Sequence, residues 1–227
     1  MGGQARPLAT RAGVLALALS AGVAHAAGGH HAVDDATLLD PGRCELEGWA
    51  TGFSGGGQLF HAGANCRAGP VELGVAGLRG RLEGEGRSDY GIQVKWARQW
   101  HPRLSVGWSL TPAWQARPES RYLGLSAAAL LTWSVRDDLA LHLNLARDFA
   151  HGGPDQSRSG VAAEWTARAG WSLVAERYEE ERTQFLRAGV RLAVTHALSV
   201  DLSHAQRLSG SLPSRWTLGT TWQFGRP

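Results

Sequence analysis

Ser214–Phe224 reads SRWTLGTTWQF. Taken alternately, one face carries Trp216, Leu218, Thr220, Trp222 and Phe224, and the other Arg215, Thr217, Gly219, Thr221 and Gln223. Strict period-two alternation predicts a β-strand with one face on an apolar medium and the other on a polar one. A strand of this length, rising ~3.3 Å per residue and tilted by roughly 40–45°, climbs about 25 Å, the height of the apolar band of a membrane-spanning barrel. Whether the rest of the chain repeats the pattern decides the fold.

The chain has 227 residues and a formal net charge of +3. Residues 1–26 have the build of a secretory signal: Arg6 and Arg11 give a positive start, Ala12–Val23 a short apolar run, and Ala24-His25-Ala26 a small-x-small cleavage site. The apolar run falls short of the ~17 residues a membrane anchor needs. Cleavage removes two arginines and lowers the charge to +1, so the basic isoelectric point is no argument for a nucleic-acid partner. The longest later apolar stretch, Leu123–Val135, is interrupted by Ser126, Thr132 and Ser134 and is too short for a transmembrane helix.

Residues 27–42 (AGGHHAVDDATLLDPG) are small, polar and unpatterned and read as a flexible periplasmic segment. His30 and His31 beside Asp34 and Asp35 supply metal-ligand chemistry. Adjacent residues seldom face one ion without a folded loop, so the flexible lead-in is the preferred reading.

From Arg43 a short rhythm sets in. Arg43–Phe53 and Gly57–Arg67 flank Ser54-Gly55-Gly56, a hairpin turn. Antiparallel pairing about Gly55 sets residues whose numbers sum to 110 opposite one another, and Cys44 and Cys66, the only cysteines, meet that sum. In an exported chain this predicts a disulfide, in preference to a metal pair or free thiols. Further strands are expected at Pro70–Arg79, Tyr90–Trp100, Leu104–Trp114, Arg121–Val135, Leu139–Phe149, Gly160–Ala167, Trp171–Tyr178, Phe185–Val194 and Leu198–His204, which with the opening stretch makes twelve. Three-residue turns (His101-Pro102-Arg103, Arg136-Asp137-Asp138, Arg168-Ala169-Gly170, Thr195-His196-Ala197) follow even-numbered strands. Longer, charged or Gly/Pro-rich loops follow odd-numbered ones from the third onward: Gly80–Asp89, Gln115–Ser120, Ala150–Ser159, Glu179–Gln184 and Ala205–Pro213. Short turns on one side, longer loops on the other and an even strand count predict an all-β, antiparallel transmembrane barrel with both termini periplasmic, spanning residues 43–224 and followed by a tail, 225–227.

Aromatic placement agrees. Trp96, Trp100, Trp133, Trp165, Trp171, Trp222 and Phe224 fall near periplasmic strand ends. Phe53, Tyr90, Trp114, Tyr122, Phe149, Tyr178, Phe185 and Trp216 fall near outer ends. Two such belts are what the membrane interfaces select; Trp49 and Trp108 are the exceptions. With the apolar face on lipid, the lumen receives Glu45, Glu47, His61, Glu72, Gln93, Lys95, His142, Glu164, Glu176, Arg187, Arg191 and Asp201. A twelve-strand barrel has a backbone radius of roughly 12 Å, room for a small solute unless acids and bases interlock. Glu176, Arg187, Arg191 and Asp201, with Lys95 and Glu164, read either as a constriction lining a solute path or as a salt-bridge network bracing the wall.

Some twelve-strand barrels are phospholipases using Ser, His and an orienting Asn. Here Ser203 and His204 are adjacent and so face opposite ways, and His142 and Asn144 share a face with no convincing serine beside them. No nucleophile–base–orienter set emerges, and no phosphate-cradling Gly-Lys-Ser/Thr loop. The sequence therefore predicts no enzyme and no cofactor.

Two resemblances follow from these residues. The last strand, closing on Phe224, resembles the C-terminal signal by which bacterial outer-membrane barrels are recognised for assembly, although Gly225-Arg226-Pro227 follows it. The stretch VDDATLLDPGRCELEGWATG, with Asp34, Asp35, Pro41, Gly42, Leu46 and Glu47, resembles the start of the proteobacterial outer-membrane proteins assigned to transport in the phenol meta-cleavage pathway. The resemblance implies a passive channel or transporter-like barrel in the outer membrane of a Gram-negative bacterium, taking small solutes, aromatic or apolar ones among them. Its expected partners are outer-membrane lipids and lipopolysaccharide, the barrel assembly machinery and an unidentified solute, with no nucleic acid. The competing expectations are a non-conducting structural or partner-binding barrel and a lipid-directed hydrolase.

Overall fold

The computed structural model describes residues 30–82 and 85–226; the expected signal segment, 1–26, lies outside them. The chain forms twelve strands: β1 (Arg43–Phe53), β2 (Gln58–Ala68), β3 (Val71–Leu82), β4 (Glu85–His101), β5 (Leu104–Arg117), β6 (Arg121–Arg136), β7 (Leu139–Ala150), β8 (Gln156–Arg168), β9 (Trp171–Glu180), β10 (Thr183–Ala193), β11 (Leu198–Ser209) and β12 (Arg215–Gly225). Each pairs antiparallel with its neighbours in sequence, and β1 closes on β12. Closure gives every strand two partners and leaves no sheet edge, which a span through hydrocarbon requires.

The faces are those the alternation predicts. Glu72, Lys95, His142, Glu164, Glu176, Arg187 and Asp201 are all buried, while Leu73, Val75, Ile92, Leu145, Val161, Leu202 and Leu218 are exposed. A soluble protein sorts its residues the other way; charge within and aliphatic surface without is a barrel solvated by lipid. Cys44 lies opposite Cys66 and is bonded to it, with Cα atoms 4.0 Å apart, so the glycine turn set the register correctly. The outer surface carries Trp100, Trp133, Trp165, Trp216, Trp222 and Phe224, all well exposed. Trp96 stacks on Trp108, Tyr90 on Trp114 and Trp222 on Phe224.

Three expectations need correction. The outer ends of β3, β4, β5 and β7 to β11 run on past their predicted limits, most of all in β4, β8 and β11, so the predicted Gly80–Asp89 loop is largely a hairpin. Ladder hydrogen bonds do not depend on hydropathy, and strands continue as hairpins where the apolar face has ended. Phe53, Tyr178 and Phe185 belong to no membrane belt. Tyr178 and Phe185 are buried, and Phe53 pairs with Arg215 and lines the interior. Trp49, the exception to the belts, also faces inward, stacked on His61 with ring centres 3.4 Å apart.

The expected Glu179–Gln184 loop is a two-residue hairpin turn in which Glu181 (φ 46°) and Arg182 (φ 61°) are both left-handed. Side chains with a Cβ pay in energy for that conformation, whereas Asn-Gly suits it. Replacing the pair, Glu181→Asn with Arg182→Gly, is expected to stabilise the barrel by about 1–2 kcal/mol. A denaturant midpoint in detergent that rises with unchanged slope would show it; no rise would mean the turn is unstrained.

Candidate functional site

The interior is occupied by the segment predicted to be a flexible periplasmic lead-in. From Arg43, at the periplasmic end of β1, the chain runs backward through Gly42 into the lumen. Gly42 has φ +77°, and a Cβ there would meet the Arg226 carbonyl oxygen at 2.4 Å, so this reversal needs glycine. Val33 and Ala36 are 0% and 1% exposed. The segment has no strand pairing, so its buried backbone groups must be met by side chains of the wall.

They are met from almost every side. Nearest the periplasm, Glu72 on β3 accepts from the Leu39 amide (3.0 Å), and Arg67 on β2 donates to the Leu39 carbonyl (3.2 Å). Thr132 on β6, itself bonded to His142 on β7, accepts from the Ala36 amide at 2.8 Å. Asn144 on β7, its amide oriented by the network, accepts from the Asp34 amide and donates to the Asp34 carbonyl. Lys95 on β4 donates to the carboxylates of Asp34 (2.9 Å) and Asp35 (3.3 Å). Deeper in, Glu176 on β9 accepts from the Ala32 and Val33 amides at 3.1 and 3.0 Å. Arg187 on β10 donates to Glu176 (2.8 Å) and to the His30 carbonyl (2.6 Å). The His30 ring is bonded to Ser203 on β11 at 2.7 Å. Two glycines on the lumen face make room: a Cβ at Gly160 would lie 2.6 Å from Val33, and one at Gly219 2.9 Å from the His30 ring.

The residues weighed as metal ligands therefore part company. His31 faces Glu176 at 3.4 Å, His30 takes Ser203, and Asp34 and Asp35 share Lys95. Burial, with His31, Arg187 and Arg191 beside it, pushes the His30 imidazole far down, so the ring is neutral. His30 and Ser203 have the contact of a base with a nucleophile, but His30 Nδ1 has no orienting partner among the described residues. Their hydrogen bond anchors the segment's tip to the wall. His204 points the other way, against Trp216 on the outer face.

Of the six constriction candidates, Glu176, Arg187 and Lys95 grip the lumenal segment. Arg191 pairs with Asp201 at 2.5 Å across β10 and β11, and Glu164 is buried on β8. Sequence reasoning found these groups but missed what they hold. The available signal was Lys95, a lumenal cation with an acid surplus on the strands around it and two spare aspartates at 34 and 35.

Toward the outer mouth the lumen opens into a cavity of about 490 Å³ whose floor is His30, Ala32 and Asp34. Its wall changes character around the ring. Trp49, Phe53, Leu59 and Leu78 line it on β1–β3, and hydroxyl and small side chains line it on β5 and β6. Arg158, Tyr178, Glu179, Glu180, Arg187 and Arg215 line it on β8–β12. Tyr178 accepts from Arg187 (2.8 Å) and Arg215 (3.0 Å), and Arg215 is also paired with Glu180.

This architecture is shared by solved outer-membrane barrels. The chain is similar to the KdgM porin (9% identity, TM-score 0.63, covering 79% of this chain and 99% of that one). It is similar to the NanC porin (9%, 0.58, 81% and 100%). It is also similar to the toluene transporter TbuX of Ralstonia pickettii (10%, 0.54, 84% and 91%). At such identities the likeness establishes the fold. No curated protein matches the sequence. A family model does match, over residues 15–224, and the chain belongs to the family it describes, "Uncharacterised conserved protein UCP029691".

Proposed function

We propose that this protein is a passive channel for small solutes in the outer membrane of a Gram-negative bacterium, closed at rest by its own residues 30–42. One observation carries the reading: a cavity of about 490 Å³ near the outer mouth ends on a floor that is not part of the sheet. The floor is tethered to β1 through Gly42 and otherwise held by side chains, so it can leave without a strand being unpaired. Structural relatives described as porins and as a toluene transporter support a conducting role. The mixed apolar and hydrogen-bonding lining suits compact, partly apolar solutes better than large hydrated ones. The seated segment gives weight to one rival, a barrel that never conducts and serves through its outer surface.

The discriminating experiment is planar-bilayer conductance of the mature, detergent-folded protein beside a variant lacking residues 30–39. The wild type is expected to show small, infrequent openings and the deletion large, steady ones. A deletion variant that is folded and inserted yet silent would overturn the channel reading and leave the non-conducting barrel.

A further inference from the structure

We infer that the outer cavity is a binding site for small monocarboxylates carried on an apolar body, a conclusion that deepens the channel reading and rests on it. Leu59 on β2 and Leu78 on β3 form one wall, Tyr178 on β9 and Arg187 on β10 stand across the ring from it, and Phe53 and Arg215 lie side by side on β1 and β12, where the two walls meet. The donors of the second wall are arranged for an oxyanion. The Tyr178 oxygen already accepts from both guanidiniums, so its own O–H is left to donate. Arg187 is 3% exposed, yet its Nε–H has no partner among the described residues. Because Arg187 Nη2 is bonded to the Tyr178 oxygen, the free Nε–H and the free O–H lie side by side. Two adjacent donors, one on a guanidinium, match the two oxygens of a carboxylate; an alcohol or ketone offers one oxygen and uses only half of the pair.

Charge sets the limit on the ligand. Arg158 is balanced by Asp148, Arg187 by Glu176 and Arg215 by Glu180, and the Glu179 carboxylate also lines the cavity, so the donor wall has no surplus charge to neutralise a dianion. A monocarboxylate is held by oriented hydrogen bonds, and a phosphate ester would leave charge uncompensated. The apolar wall excludes the opposite extreme, since a fully hydroxylated acid would strip its water against Phe53, Leu59 and Leu78 for no return. The ligand is thus amphipathic, with its carboxylate toward Tyr178 and its apolar end toward Leu59.

The test is calorimetric titration of the detergent-folded protein with benzoate, acetate and benzyl alcohol, on wild type, Tyr178→Phe and Leu59→Gln. Saturable benzoate binding is expected, with acetate and benzyl alcohol each weaker by about tenfold. Tyr178→Phe is expected to weaken benzoate about tenfold, and Leu59→Gln to weaken benzoate while leaving acetate unchanged. Circular dichroism and heat-modifiable gel mobility confirm that each variant is folded. Equal affinity for benzoate and benzyl alcohol, or benzoate binding untouched by Tyr178→Phe, would overturn the assignment. No benzoate heat in a protein that conducts after deletion of residues 30–39 removes the site and leaves the channel. Benzoate binding with that deletion silent keeps the site and removes the channel.

Discussion

Lys95→Met is expected to unseat residues 30–42 and turn a closed barrel into a conducting one. Lys95 is 6% exposed and is the cation facing both Asp34 and Asp35, with Glu72 directly across β3. Methionine keeps most of the side-chain volume and removes the charge, leaving carboxylates crowded together in a confined space. Breaking a buried ion pair from one side costs about 3–5 kcal/mol. The barrel does not have to bear that cost, because the segment can relieve it by leaving. The readout is a Val33→Cys reporter, at a position with 0% exposure, probed with a membrane-impermeant maleimide while the Cys44–Cys66 bond stays oxidised. Protection in the otherwise wild-type chain should be lost with Lys95→Met, and bilayer conductance should rise with it. Neutralising the acids as well, Asp34→Asn and Asp35→Asn, should restore most of the protection, since removing both sides of a buried pair is far cheaper than removing one. A reporter that stays protected in Lys95→Met would mean that this cluster does not hold the segment.

How well the sequence spoke depended on whether a feature had a period. Strand count and the direction of each face follow from alternation, and closure from an even count with short turns and longer loops sorted to opposite ends; alternation is written residue by residue, so Leu104, Val106, Trp108 and Leu110 need no partner to declare a face. The disulfide was legible because one glycine turn fixed one register, and register then carried Cys44 to Cys66. The same logic groups Glu176, Arg187, Arg191 and Asp201 on one stretch of lumen wall; which acid meets which arginine is a structural finding, Glu176 with Arg187 and Asp201 with Arg191.

Residues 30–42 have no such period. Their order comes from Glu72, Lys95, Thr132, Asn144, Glu176, Arg187 and Ser203, which lie on seven strands and up to 173 positions away. A short polar stretch with small side chains has the same composition whether it floats in the periplasm or threads a lumen. What distinguishes the two is the unmet demand of the wall, and that appears only after the wall is closed. The aromatic error has a related cause. Phe53, Tyr178 and Phe185 sit at the outer level as expected, but parity rather than level decides whether a ring meets lipid or lumen, and parity turns them inward beside Arg187 and Arg215.

Glu176→Gln is expected to act on wall and segment together, which Lys95→Met does not. Glu176 is 1% exposed and serves two sides at once: it is the counter-ion of Arg187 across the β9–β10 ladder, and it accepts the Ala32 and Val33 amides. Glutamine retains one acceptor oxygen for those amides but leaves the Arg187 guanidinium buried without its charge partner, a loss of about 3–5 kcal/mol. Arg187 cannot escape as the lumenal segment can, because it is fixed to a strand. The unfolding midpoint of the barrel should therefore fall, and the Val33→Cys reporter should become reactive in the same variant. With Lys95→Met the reporter should react while the midpoint stays close to wild type. Pairing Glu176→Leu with Arg187→Met should recover much of the lost midpoint, because the double replacement leaves no buried charge. Recovery of the midpoint without recovery of reporter protection would separate the two duties of Glu176: the charge braces the wall, and the carboxylate oxygens seat the segment. Additive losses in the double variant would instead show that the pair is not coupled, and the closed state would then rest on the remaining contacts from Arg67, Glu72, Lys95, Thr132, Asn144 and Ser203.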